Sequence, residues 1–114
     1  MQLHQPTPEL PVADVKAAQA YYRDTLGFEI SWFHEDAQKG AVSHGDCAIF
    51  FQETEEPITP VVLWIFSDDV DAAHADLVAR GAHVVGPLRD TSWGLRQFTV
   101  LDANGHQLHI FRDL

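Results

Sequence analysis

Cysteine is almost absent: Cys47 is the only one in 114 residues. A single thiol excludes an internal disulfide framework and any zinc site of the multi-cysteine type. It lies in the apolar run Cys47-Ala48-Ile49-Phe50-Phe51 and reads as a buried thiol rather than a nucleophile. Basic residues are scarce, with 7 Lys plus Arg against 17 Asp plus Glu and a formal net charge of −10. A field of that sign repels phosphates, which argues against nucleic acid and anionic membrane as partners. The charge serves solubility, and it also suits a cationic ligand. Long uncharged apolar runs are missing, so no spanning helix is expected. The start, Met1-Gln2-Leu3-His4-Gln5-Pro6, lacks the basic and apolar regions of a signal peptide, and a cytoplasmic location is the expectation. No motif places a base beside Ser43 or Ser92, and the glycines form no phosphate-cradling pattern.

What is present is an internal repeat. Asp14-Val-Lys-Ala-Ala-Gln-Ala20 returns as Asp69-Val-Asp-Ala-Ala-His-Ala75, 55 residues later. Each copy follows an apolar extended segment and runs to a glycine, Gly27 in the first and Gly81 in the second. Asp14 and Asp69 are placed to cap a helix by accepting backbone N–H bonds, and their charge suits the positive helix end. Gly27 and Gly81 suit the left-handed residue that closes a helix. Helical spacing marks Val15, Ala18, Tyr22 and Leu26 as one buried face, and Val70, Ala73, Leu77 and Val78 as the other.

The remaining segments read as strands. Leu10–Val12 leads into the first helix and residues 28–33 leave it. Residues 41–43 and 47–52 flank the turn His44-Gly45-Asp46. Residues 53–60 read as a linker. Val61–Phe66 is rich in β-branched and aromatic residues. Residues 82–85 form a strand that Gly86-Pro87 breaks. Residues 97–101 and 107–111 flank the hairpin turn Asp102-Ala103-Asn104-Gly105. The expectation is an α+β fold in one domain over 1–114. It is built of tandem βαβββ modules, about 1–56 and 60–114, that form a curved, mostly antiparallel cup-shaped sheet with helices outside.

These tandem modules, with Leu10-Pro11-Val12-Ala13-Asp14-Val15, Tyr21-Tyr22, Leu26-Gly27-Phe28, Trp93-Gly94-Leu95-Arg96-Gln97-Phe98, Asp102-Ala103-Asn104-Gly105-His106 and His109-Ile110-Phe111, resemble the vicinal oxygen chelate superfamily. Within it the chain resembles the glyoxalase/bleomycin-resistance group, over essentially its whole length. The fold hosts isomerases, dioxygenases, thiol-adding lyases and pure binders. Its enzymes hold a divalent metal on the inner strands, leaving positions open for substrate oxygens. The resemblance puts the ligand positions at Thr7, Val62 and His109. Valine cannot bind a metal and one imidazole makes a poor site, so no metal or other cofactor is expected. An atypical enzyme site would need His109 with His4 or Glu9.

If Val62 faces the cavity, period-two alternation sends Trp64 and Phe66 the same way, with Val61, Leu63 and Ile65 toward the helices. Gln107, His109 and Phe111 share that face, as do Thr7, Glu9 and Pro11. Trp64, Phe66 and Phe111 then make flat apolar walls, with Glu9, His109 and Gln107 as polar points. Such walls suit a planar, partly cationic guest. Trp93-Gly94 matches the resistance proteins' Trp-Gly motif, which the resemblance implies helps stack the drug's flat tail. Trp32 and Phe33 are candidates for the facing wall, with Glu35 and Asp36 beyond them. With the resemblance, this implies sequestration of a bleomycin-like cationic aromatic antibiotic without catalysis; the alternatives are a metal-dependent glyoxalase, dioxygenase or thiol-transferase-type enzyme with an atypical site, or a binder of another small molecule. The expected ligand residues are Trp32, Phe33, Trp64, Phe66, Trp93, Gly94, His109 and Phe111. The resemblance also implies a homodimer with drug in grooves between subunits.

Overall fold

The computed structural model describes all residues, 1–114. Module one comprises β1 (Glu9–Val12), α1 (Val15–Leu26), β2 (Glu29–His34), β3 (Lys39–His44) and β4 (Cys47–Glu53). Module two comprises β5 (Val62–Phe66), α2 (Val70–Ala79), β6 (His83–Asp90), β7 (Leu95–Leu101) and β8 (Gln107–Asp113). The architecture is α+β, two βαβββ modules. The strands form two four-stranded sheets of matching order, β1-β4-β3-β2 and β5-β8-β7-β6. In each, the first strand pairs parallel with the fourth and the other pairings are antiparallel. No helix is long and apolar enough to cross a membrane.

The helix ends form as their residues dictate. The Asp14 carboxylate accepts the Ala17 N–H at 2.9 Å and Asp69 accepts that of Ala72 at 3.0 Å. Gly27 takes φ +77°, which lets its N–H close the first helix on the Tyr22 carbonyl. Val15, Ala18, Gln19, Tyr22 and Leu26 bury one face of α1 against the first sheet. In α2 only Val70 and Leu77 are fully buried, and Val78 is exposed, contrary to expectation. Val78 follows Leu77 by one residue, about 100° round the helix, so the two cannot share a narrow contact face.

Two other expectations are corrected. Gly86-Pro87 does not break the sheet: β6 runs through it with shifts of register on either side of Gly86. Proline has no N–H to donate, but β6 is an edge strand and the irregular pairing absorbs it. β6 accordingly extends past the expected residues 82–85 to include Arg89 and Asp90, and Thr91 beyond it is buried. The Thr91 hydroxyl donates to the Leu95 carbonyl at 2.9 Å and accepts the Leu95 N–H at 3.1 Å, which fixes the turn into β7.

Fifteen buried apolar residues from both modules form one core, with Tyr22, Phe51 and Phe98 its largest members. Polar ties cross between the modules. The Tyr22 hydroxyl donates to the buried Asp102 carboxylate at 2.7 Å. His106 is fully buried. Its Nδ1 accepts the Val61 N–H at 2.9 Å, and its Nε2–H donates to the Pro11 carbonyl at 2.7 Å. These partners require the neutral Nε2–H tautomer.

Candidate functional site

Each helix covers one face of its own sheet and leaves the other open. On the second sheet, register aligns the open-face side chains in rows. One row runs Val62, Gln107, Leu101, His83. The next runs Trp64, His109, Thr99, Gly86. The third runs Phe66, Phe111, Gln97, Arg89. Val62, Trp64 and Phe66, about half exposed, face outward as alternation requires, while Leu63 and Ile65 pack toward the core.

The aromatic members touch one another. Trp64 stacks on the His109 ring with centroids 4.3 Å apart and planes at 36°. Phe111 meets Trp64 edge-on at 5.8 Å and Phe66 edge-on at 5.7 Å. His109 Nδ1 lies 2.6 Å from the Thr99 hydroxyl. Gly86 makes room for this pair, since a Cβ there would come within 3.1 Å of the Thr99 side chain. Partial burial lowers the His109 pKa, favouring the neutral ring at pH 7.

Trp93 projects from the turn before β7 and is 57% exposed. Its indole N–H donates to the Gln97 side chain at 3.1 Å, and the Arg89 guanidinium lies 5.2 Å from its ring. Gly94 serves this turn through its backbone at φ +88°; a Cβ there would meet open space. The structure thus brings Trp64, Phe66, Trp93, His109 and Phe111 onto one continuous face. Arg89, Gln97 and Thr99 join them there; sequence reasoning missed all three, although alternation from Phe111 and His109 across the hairpin marks Gln97 and Thr99.

Trp32 and Phe33 are not on one wall. Trp32 lies on the open face of the first sheet, packed edge-on against Phe50 at 5.2 Å. Phe33 pairs with Gly40, which abuts Val15 and Gln19, and so lies on the helix side under the Lys16 ammonium at 4.9 Å. A bulge at Ser31 reverses the alternation between Ile30 and Trp32. Glu9 stands on this first sheet, paired with Lys39 at 2.6 Å.

A cleft of about 700 Å³ separates the modules on their helix side, lined by the arm residues Gln5–Pro8, by Phe28 and Ile49, and by Leu63, Ile65 and Leu77. Trp64, Phe66 and Thr7 line it as well. Cys47 also borders it, and partial burial raises the thiol's pKa, which favours the protonated form.

A family model described as Glyoxalase/Bleomycin resistance protein/Dioxygenase superfamily matches residues 3–110. The chain belongs to that superfamily. Among solved structures of this fold it is similar to TioX from Micromonospora sp. ML1, with 26% identity, 97% of this chain and 100% of that one covered, and a TM-score of 0.83. It is similar to TnmS3, an antibiotic binding protein from Streptomyces sp. CB03234, at 24% identity, with 100% and 99% covered and a TM-score of 0.81. It is likewise similar to a bleomycin-binding protein complexed with bleomycin, at 21% identity, with 98% and 100% covered and a TM-score of 0.81. No curated protein sequence matches the chain.

Enzymes of the superfamily use a divalent metal, and the donors of this chain do not fit one. Of Thr7, Val62 and His109, only the imidazole is a good ligand, and one imidazole falls short of the usual three protein ligands. Glu9 is on the other sheet and held by Lys39. No three His, Cys, Asp or Glu residues converge on a common point.

Proposed function

We propose that this superfamily member binds a planar aromatic small molecule of the antibiotic type on the open face of β5, β8, β7 and β6, and holds it without converting it. The observation that carries the reading is the contiguous ring cluster of Trp64, His109, Phe111 and Phe66, with exposed Trp93 standing on the same face. A soluble domain rarely leaves so many large rings open unless something covers them. The names of two similar proteins, a bleomycin-binding and an antibiotic binding one, support it.

The mechanism is sequestration. A flat guest gains about 25 cal/mol for each Å² of apolar surface taken from water. Ring contacts add about 0.5–1.5 kcal/mol per aromatic pair. Neutral His109 provides a polar edge, with Nδ1 fixed by Thr99 and Nε2 free of any hydrogen bond within the chain. Cys47, the one thiol of the chain, borders the cleft rather than this face. The ring contacts of each open face lie within its own sheet, so we further propose that a second copy sets its Trp32 and Phe50 opposite Trp64 and closes the groove as a homodimer.

The test is a titration of EDTA-stripped protein with metal-free bleomycin, copper-loaded bleomycin and an uncharged planar anthraquinone, followed by tryptophan fluorescence. Mass spectrometry of the recovered ligand accompanies it. Saturable quenching by at least one ligand, at one per chain and with the ligand intact, is expected. No response to any of them, or a ligand recovered chemically altered, overturns the reading.

A further inference from the structure

We propose that Arg89 selects the charge of the guest, and that the open face of the second sheet takes planar aromatic acids in preference to aromatic cations. The inference rests on that face being the binding site. Arg89 is in register with Gln97, and through it with Phe111 and Phe66, so its guanidinium stands at the end of an aromatic row. Trp93 flanks it, with the ring centroid 5.2 Å from the guanidinium carbon. In a chain with 17 carboxylates and only 7 Lys plus Arg, Arg89 has neither an ion pair nor a hydrogen bond. By contrast its near neighbour Arg96 is held by both Asp71 and Asp90.

The rows of Val62, Trp64 and Phe66 that Arg89 overlooks hold no Asp or Glu in register. The single carboxylate in register on the open face is Asp113, one row further along opposite Leu95, and it forms no ion pair. Glu35 and Asp36 sit in the turn after β2, on the other sheet. An aromatic cation stacked among Phe66, Phe111 and Trp93 would meet a like charge with no carboxylate between, which discriminates against it. A carboxylate on the same ring system would find the planar two-donor fork that guanidinium offers carboxylates. The net charge of −10 does not reverse this choice, because exposed charges further off than about 8 Å are largely screened at physiological ionic strength.

Three probes of matched shape test it: 9-anthracenecarboxylate, neutral 9-anthracenemethanol and the 9-anthracenemethylammonium cation, each titrated into the wild-type protein and into Arg89→Gln, Arg89→Lys and Trp64→Ala. The wild type is expected to bind the anion about tenfold more tightly than the cation, a difference of about 1.4 kcal/mol. Arg89→Gln is expected to erase that ratio and Arg89→Lys to keep its direction. The neutral probe, measured in parallel, reports any loosening of Trp93 in these variants, and Trp64→Ala weakens all three probes. Binding of the neutral probe that depends on Trp64, with the cation preferred or with the anion's advantage surviving Arg89→Gln, overturns the role of Arg89 and leaves the binding face standing. Failure of all three probes to bind, or binding indifferent to Trp64→Ala, overturns both.

Discussion

Trp93 makes two side-chain contacts of note, the Gln97 hydrogen bond and the Arg89 stack, and otherwise stands in solvent. Its truncation therefore separates binding from folding. Trp93→Ala is expected to weaken the guest by more than about tenfold, the size of one lost stacking contact with its burial. The urea midpoint should stay within experimental scatter; unchanged affinity would remove Trp93 from the site. His109 gives a second prediction at this scale. Burial lowers its pKa below the ordinary 6.5, so near and just below that pH the unfolded chain binds more protons than the folded one. Stability therefore falls as the pH drops through this range, and above it the penalty is absent. His109→Gln should lose less stability than wild type between pH 7.5 and pH 5.5 in urea unfolding. Equal losses would show that the imidazole is not desolvated. Trp64, Phe66 and Phe111 were legible in the sequence because the family resemblance supplies Val62 and His109 as anchors and alternation carries the same face to them. Arg89 was not, since its place depends on irregular pairing around Gly86 and Pro87 that no local pattern announces.

At the scale of elements, Gln19 shows how a helix and a strand fit each other. It is buried on the apolar stripe of α1, and its Nε2 donates to the Trp32 carbonyl at 2.7 Å and the Ala41 carbonyl at 3.1 Å. Those bonds lie beside the bulge that turns Trp32 to the open face and Phe33 to the helix side. Gln19→Leu keeps the bulk but leaves two carbonyls without that donor, and is expected to cost about 1–3 kcal/mol in urea unfolding. A neutral result would mean that water or the sheet replaces the amide. Both helices, with their Asp caps and glycine stops, could be read from the repeat because capping is local chemistry. The side occupied by Phe33 could not, because one extra residue in a strand reverses every side chain after it.

At the scale of the whole molecule, side chains far apart in sequence join the modules: Tyr22 to Asp102, and His106 to Val61 and Pro11. Burial and Asp102 together push the Tyr22 phenol well above its ordinary pKa, so it remains a donor at any physiological pH. Tyr22→Phe removes a hydrogen bond to a charged acceptor and is expected to cost about 2 kcal/mol of stability. A loss below about 0.5 kcal/mol would contradict that role for the bond. The burial of His106 had no sequence signal, since it arises only when the two modules meet. Sedimentation should give about twice the 12.8 kDa chain mass if a second copy closes the groove, and the chain mass itself if none does.

On the proposed function the open aromatic face, not the cleft between the modules, holds the guest. The most direct measurement is a ¹⁵N–¹H spectrum followed through a titration with neutral 9-anthracenemethanol. The indole N–H signals of Trp64 and Trp93 are expected to move together and saturate at one ligand per chain. Unmoved indoles, with shifts confined to the amides of Cys47, Ala48 and Ile49 along the cleft, would contradict the open-face placement.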